Sequence, residues 1–179
     1  MHQYTQLVDL PNIQSERRLR LDPSRLASGG SALARYLDLW REARAGDIQA
    51  FLGRLQARGL DRHIMVVDLD YRGSFIYRFL GSGLTFVDAA ARARLIGKPQ
   101  EAFADLPTVR SAREGYLAAV ESDAPLCEMV DRPRLNAAGR PLPRTPFRRL
   151  VLPLPINGRV TRAIVASELI QRPGRHDRP

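Results

Sequence analysis

Apolar positions along the chain change period several times, and each change marks an element. From Leu33 they fall at helical spacing: Leu33, Tyr36, Leu37 and Trp40 form one stripe of "ALARYLDLWREARAG". Ser31 stands where an N-cap belongs, and Gly46 follows as a stop. Asp47 opens a second segment, "IQAFLGRLQARG", with Ile48, Phe51, Leu52 and Leu55 on one face and Gly59 at its end. The spacing predicts a helical hairpin over 31–60 whose apolar stripes must cover a sheet.

The period then shortens to two. "HIMVVDLD" reads as a strand ending in the turn "DYRGS", and "FIYRFLG" follows at hairpin distance. Neither face of this pair is rich in polar residues, so both faces are expected to be covered, at least in part. After Gly83 short helical turns are expected around "LTFVDAAARARLIGKP". A longer helix follows in "PTVRSAREGYLAAVESD", with Val109, Ala112, Tyr116, Leu117 and Val120 as its stripe. Gly115 inside that helix costs about 1 kcal/mol relative to alanine, which points to close packing there. Three more strands are expected at 125–135, 147–156 and 159–170. The last two flank Asn157-Gly158, a strong hairpin signal. Pro153 and Pro155 cannot donate to a ladder, so that end of the strand is expected to be an edge or bulged. The class is α+β: an antiparallel sheet with helices inserted after its second strand and a helical extension before the first.

The expected organisation is an arm over 1–30 packing loosely on the body or a partner, helices over 31–60, a sheet domain over 61–170 and a disordered tail over 171–179. "DPSRLASGG" reads as a loop or hinge between the arm and the first helix.

Charge changes the picture less than its size suggests. The net charge is +9, yet Lys98 is the sole lysine among 28 basic residues. A GC-rich genome produces that skew through its arginine codons. The arginines also run from Arg17 to Arg178 and are dense only in "ERRLRLDPSRL" and "TPFRRL". A solvated or acid-facing surface is preferred to nucleic-acid binding. No apolar run approaches the roughly 20 residues of a membrane helix, the N-terminus lacks a signal pattern, and a single cysteine fits a reducing cytoplasm.

Candidate chemistry is sparse. "GSGLTF" offers Gly81 and Gly83, but Phe86 stands where G-x-G-x-x-G needs its third glycine, and the preceding strand pairs in a hairpin. Cys127 reads as a small buried hydrophobe and His63 as a strand-edge residue. His2, His63 and His176 are scattered, so a metal site is not expected. Glu168 on the last strand is placed to face Arg148 or Arg149 across the ladder, as a structural ion pair.

Two strands, a helical insertion and three strands form the order of a PAS domain. The chain resembles the small stand-alone bacterial PAS-type proteins with amphipathic N-terminal helices. The resemblance is carried by "ALARYLDLWREAR", "FIYRFLGSGL", "LIGKP", "YLAAVESDAPLCE" and "FRRLVLPLPINGRVTRAIVAS", within roughly 32–170. It departs at "GDIQAFLGRLQARGLDR", helical here where the family tends to carry a Pro- and Asp-rich loop.

The resemblance implies a five-stranded antiparallel sheet, its first strand between the second and the fifth, with helices around a small pocket. It also implies a non-catalytic sensory or protein-interaction module in bacterial signalling, with output through a protein partner. Cofactors vary across such proteins between haem, flavin, small metabolites and none; no cofactor is assigned, and a small organic ligand is admitted. The elements that wrap the cavity nominate Phe79, Phe86, Tyr116, Met129, Leu152 and Val165, with Arg78 or Arg148 as polar anchor. Dimerisation through N-terminal helices nominates Tyr36, Leu37 and Trp40 as a homodimer interface; the alternative for that stripe is to cover the chain's own sheet. Two other classes remain open: a small enzyme on a steroid-isomerase-like α+β cone, separated by its strand order, and an arginine-rich nucleic-acid binder.

Overall fold

The computed structural model describes residues 17–26, 30–43, 48–84, 89–103, 107–131, 134–135, 141–142, 146–156 and 159–170. Its main sheet has six antiparallel strands: β1 (Arg17–Leu21), β2 (Ile64–Leu69), β3 (Phe75–Leu80), β4 (Leu126–Asp131), β7 (Phe147–Ile156) and β8 (Arg159–Leu169). Between β4 and β7 lie the two short strands β5 (Arg134–Leu135) and β6 (Pro141–Leu142), paired with each other. The helices are α1 (Leu33–Ala43), α2 (Ile48–Ala57), α3 (Ala89–Leu95) and α4 (Pro107–Ser122).

The sheet order is β1-β4-β7-β8-β2-β3. With β1 set aside, β2 lies between β3 and β8, so the first expected strand sits between the second and the fifth. This is the PAS order, and the one that separates the fold from the cone. The sequence reading of residues 1–30 as a loosely packed arm requires correction at its C-terminal part. Residues 17–21 add a sixth strand, in register with β4 from Arg17↔Asp131 to Leu21↔Cys127. Residues 1–16 and the tail 171–179 lie outside the described residues.

Each central strand serves two cores because its side chains alternate between faces. Ile64, Val66, Leu150, Leu152, Leu154, Ile164 and Ala166 face one way and pack against α1 and α2. Met65, Val67, Val151, Ala163 and Val165 face the other way, into the core that holds Ala112, Tyr116 and Ala119 of α4.

Helix α1 forms where its stripe predicts. The Leu33 N–H donates to Ser31 Oγ at 3.2 Å, and Glu168 of β8 completes the cap. The Glu168 carboxylate accepts from Ser31 Oγ at 2.5 Å and from the Ala32 N–H at 2.8 Å, so a negative charge sits at the helix N-terminus. Helix α2 ends at Gly59 in a Schellman arrangement, with Leu60 N–H donating to the Leu55 carbonyl at 2.9 Å.

The two prolines of β7 are accommodated by topology. Strand β4 pairs with β7 only as far as Val151, so residues 152–156 have β8 as their strand neighbour among the described residues, with a bulge between Leu154 and Pro155. The Pro153 carbonyl is thereby free to accept the Trp40 indole N–H at 2.6 Å. Asn157 and Gly158 lie outside the described residues; Ile156 and Arg159 on either side of them pair.

At the opposite edge, the segment after α3 closes β3. The Gly97 N–H donates to the Tyr77 carbonyl at 2.8 Å, the Tyr77 N–H donates to the Lys98 carbonyl at 3.3 Å, and Ile76 bridges Pro99. "YRFL" and "GKP" are therefore physical neighbours.

Candidate ligand and partner site

The α4 face combines an aromatic core with an ionic cluster. Tyr116 and Phe75 are buried and meet edge to face, with centroids 5.5 Å apart and planes at 83°. Beside them Glu128 of β4 stands directly opposite Arg149 of β7, and the Arg149 Nε and Nη2 donate to Glu128 Oε2 at 3.2 and 2.5 Å. The Arg149 guanidinium also lies 5.6 Å from the Tyr116 ring centroid, within range of a cation–π contact.

Strand β1 adds the second arginine. Arg18 is buried; its Nη2 donates to Glu114 of α4, and its Nη1 is 3.8 Å from Glu128 Oε1. A cleft of about 90 Å³ opens here, lined by Arg18, Arg20, Glu114 and Glu128. Gly115 lets α4 come this close: a Cβ there would lie 2.9 Å from Glu128 Oε2 and 3.1 Å from Arg149 Nη2. The helix propensity lost at Gly115 is offset by this approach. A buried ion pair of this kind costs desolvation to form, and removing one partner leaves an uncompensated charge.

A second polar feature lies between β3 and α4. Gln100, in a 3-10 turn at Gln100–Phe103, is fully buried, and its Nε2 donates to Tyr77 Oη at 3.4 Å. Its Oε1 has no donor among the described residues. A buried acceptor left in this state costs about 1–3 kcal/mol.

The residues nominated from sequence do not converge on one face. Tyr116 and Val165 lie on the α4 face, in one apolar cluster. Leu152 packs against α1 and α2 instead. Met129 shares the face of Cys127, two positions away on β4, and is partly buried. Arg148 shares the face of Leu150 and pairs with Glu168 at 3.0 Å, the cross-strand ion pair expected from the register. Arg78 falls at a bulge in the β2–β3 ladder and donates to Asp68 at 2.9 Å. Phe79, opposite Val66, is 39% exposed on the edge strand. Phe86 lies outside the described residues. Arg78, Phe79, Met129, Arg148 and Leu152 thus do not join Tyr116 and Val165 on the α4 face, because their phase on the strands points them elsewhere.

The dimer nomination is corrected as well. Tyr36, Leu37 and Trp40 are at most 5% exposed within this chain. Besides the Trp40 bond to Pro153, the Tyr36 hydroxyl donates to the Leu60 carbonyl at 3.0 Å. The stripe covers its own sheet.

Gly81 and Gly83 are committed to the fold. The Gly81 N–H donates to the Ile64 carbonyl at 2.9 Å and the Gly83 N–H to the Arg62 carbonyl at 2.7 Å. A Cβ on Gly81 would collide with the Arg62 carbonyl, and one on Gly83 with the His63 ring. These glycines permit close approach to the turn at Asp61–His63, and their amides are not presented to a phosphate.

The Cys127 thiol and the Asp68 carboxyl are shifted for clear reasons. Burial pushes the Cys127 thiol up to about 12, despite the nearby Arg148 charge. Burial also raises the Asp68 carboxyl, but the Arg162 hydrogen bonds and charge, joined by Arg78, outweigh it and hold the group below its ordinary value. Asp68 and Arg162 are cross-strand partners, with a bidentate contact at 2.5 and 2.9 Å.

Sequence reasoning missed Arg18, Gln100, Glu114, Glu128 and Arg149. The available signal was Gly115: a glycine inside an otherwise regular helix marks where something bulky comes close. Among the described residues no group of three His, Cys, Asp or Glu side chains is placed to hold a metal ion. No described helix is long and apolar enough to cross a membrane.

No family model and no curated protein matches the chain. Among solved structures it is similar to an RNA-binding light-oxygen-voltage receptor, at 18% identity and a TM-score of 0.41, over 69% of this chain and 34% of that one. This chain therefore spans about a third of that receptor's length. It is also similar to the PAS domain of a protein from Colwellia psychrerythraea, at 16% identity and a TM-score of 0.40, over 66% of this chain and 97% of that one.

Proposed function

We propose that the chain is a non-catalytic PAS-type sensory or protein-interaction module in bacterial signalling. It reads a small organic ligand or a protein partner and passes the result on through contact. The observation that carries this reading is the order β3-β2-β8-β7-β4 with α4 laid over one face. Gln100 supports a ligand on this side: a buried acceptor beside the Tyr77 hydroxyl asks for a hydrogen-bond donor. A ligand that supplies one gains the bond and removes the penalty, and so favours the packing of α4 that encloses it. Nucleic-acid binding is disfavoured because Arg18, Arg78, Arg148, Arg149 and Arg162 are engaged with carboxylates of this chain.

Native mass spectrometry of the purified full chain tests the ligand reading. The expected result is a small molecule retained by the wild type and released by Gln100→Leu. A bare wild-type chain, together with a Gln100→Leu variant more stable than wild type, would remove the ligand and leave protein contact as the input.

A further inference from the structure

The Arg18 cluster has the form of a bound ligand that happens to be tethered. Strand β1 is held by a five-residue ladder to β4, by Arg18 set between Glu114 and Glu128, and by Leu21 at the rim of the α1 core. Arg18 is the one β1 side chain that is buried, while Arg17 and Arg20 are exposed. The chain then makes a 3-10 turn at Pro23–Arg25 and seats Leu26 in the α1 core. Residues 17–26 thus form one exchange unit: a strand, a turn and a buried leucine. The next six residues, "ASGGSA", lead to α1 and can span about 20 Å when extended.

We propose that the β4 edge with Glu114 and Glu128 is a docking site for an arginine-bearing strand, and that two copies of this chain dimerise by exchanging residues 17–26 through it. The occupant is a second copy because β1 carries every feature the seat demands. It has five residues in register, an arginine at the second position and a leucine that lands five residues after the strand. Charge complementarity sets the position: the guanidinium enters between two carboxylates, and a shift by one residue would place Arg17 or Leu19 there. Exchange preserves the β1–β4 ladder, the Arg18 contacts and the Leu26 seat, while the turn closed by the Ser31 N–H on the Leu26 carbonyl at 3.3 Å must open, so the balance between forms is set by protein concentration and by the conformation of the connecting residues. The inference goes beyond the ligand reading and stands without it, since neither Gln100 nor Tyr77 takes part.

A charge reversal across the seat tests the exchange. Arg18→Glu opposes the strand to the acidic pair, and Glu114→Arg opposes the seat to Arg18; Glu114 is partly exposed and accommodates the change. Each variant alone has a mismatched strand. Mixed one to one, they offer the Arg18 strand of one chain to the unaltered seat of the other, and the Arg18→Glu strand to the reversed seat. The expected result is a heterodimer by native mass spectrometry that neither variant approaches alone, while Arg18→Glu/Glu114→Arg in one chain restores the wild-type balance. No heterodimer in the mixture, with β1 again protected from hydrogen exchange in the double variant, would overturn the proposal. Isotopically light and heavy wild-type chains give a check without substitutions: mixed dimers are expected after incubation, and monomers alone at every concentration would also overturn it.

Discussion

The two faces of the sheet are built by different means. The face under α1 and α2 is mainly apolar: among the described residues Ser31, Tyr36 and Trp40 complete a cap or a carbonyl there, and Arg148 and Glu168 pair across the ladder. The face under α4 mixes an aromatic pair with four charged side chains and a buried glutamine. Apolar packing is non-directional and tolerant of small changes, whereas a buried ionic cluster is intolerant of losing a member and selective about geometry. The first face is held by apolar packing; the second carries the polar groups on which the proposed ligand contact and strand exchange rest.

This contrast is breakable, beginning with the largest effect. Glu128→Leu strands Arg149 and should cost about 4 kcal/mol, whereas Glu128→Leu with Arg149→Met should recover most of that loss. Chemical denaturation of the three chains measures it; additive losses in the double variant would mean the pair is not one unit. On the other face, Leu37→Ala should cost about 3 kcal/mol by cavity formation, with no rescue by any charge change. Trp40→Phe keeps most of the packing but leaves the Pro153 carbonyl without its donor, for a loss of about 1–2 kcal/mol.

Asp68→Asn should act through pH. The carboxyl is held below its ordinary value of 3.8 in the folded chain, so its contribution is present above that value and is lost as pH falls through the folded one. The variant should be less stable than wild type at neutral pH and should converge with it in acid, as read by urea titrations across pH. At the small end, thiol reagents should leave the native chain unmodified, because Cys127 is buried and its thiol is pushed up to about 12. Modification at the rate of a free thiol would show that the core of α1 opens readily.

Much of the fold was legible, and the reasons are local. The α1 stripe, the strands flanking Asn157-Gly158 and the tight β2–β3 hairpin each carry a period that only one element satisfies. Strand β1 was not legible because its alternation is inverted. In "RRLRL" it is Arg18 that is buried deepest, so the segment has the look of a solvated arm.

The site was less legible because a strand's phase cannot be read from a continuous apolar run. In "FRRLVLPLPI" Leu152 and Arg148 were chosen, while their neighbours Val151 and Arg149 face α4. On β4, Met129 was chosen and Glu128 is the residue that enters the cluster. Each error is one position, which on a strand means the opposite face. The bulge that carries Arg78 adds another change of phase that no pattern announced. Gln100 gave no signal, because its role depends on Tyr77, far from it in sequence, and on its own burial.

The central claim is that the α4 face is completed by a strand that, with Leu26, can leave while the central strands β7 and β8 hold. Native-state hydrogen exchange measures this directly, by comparing amides of β1 with those of β7 and β8 in the wild-type chain. The account predicts that β1 opens at a free energy well below that of global unfolding, and lower still in Glu114→Arg, while β7 and β8 exchange only through global unfolding. Protection of β1 equal to that of β7 and β8, unchanged in the variant, would contradict it.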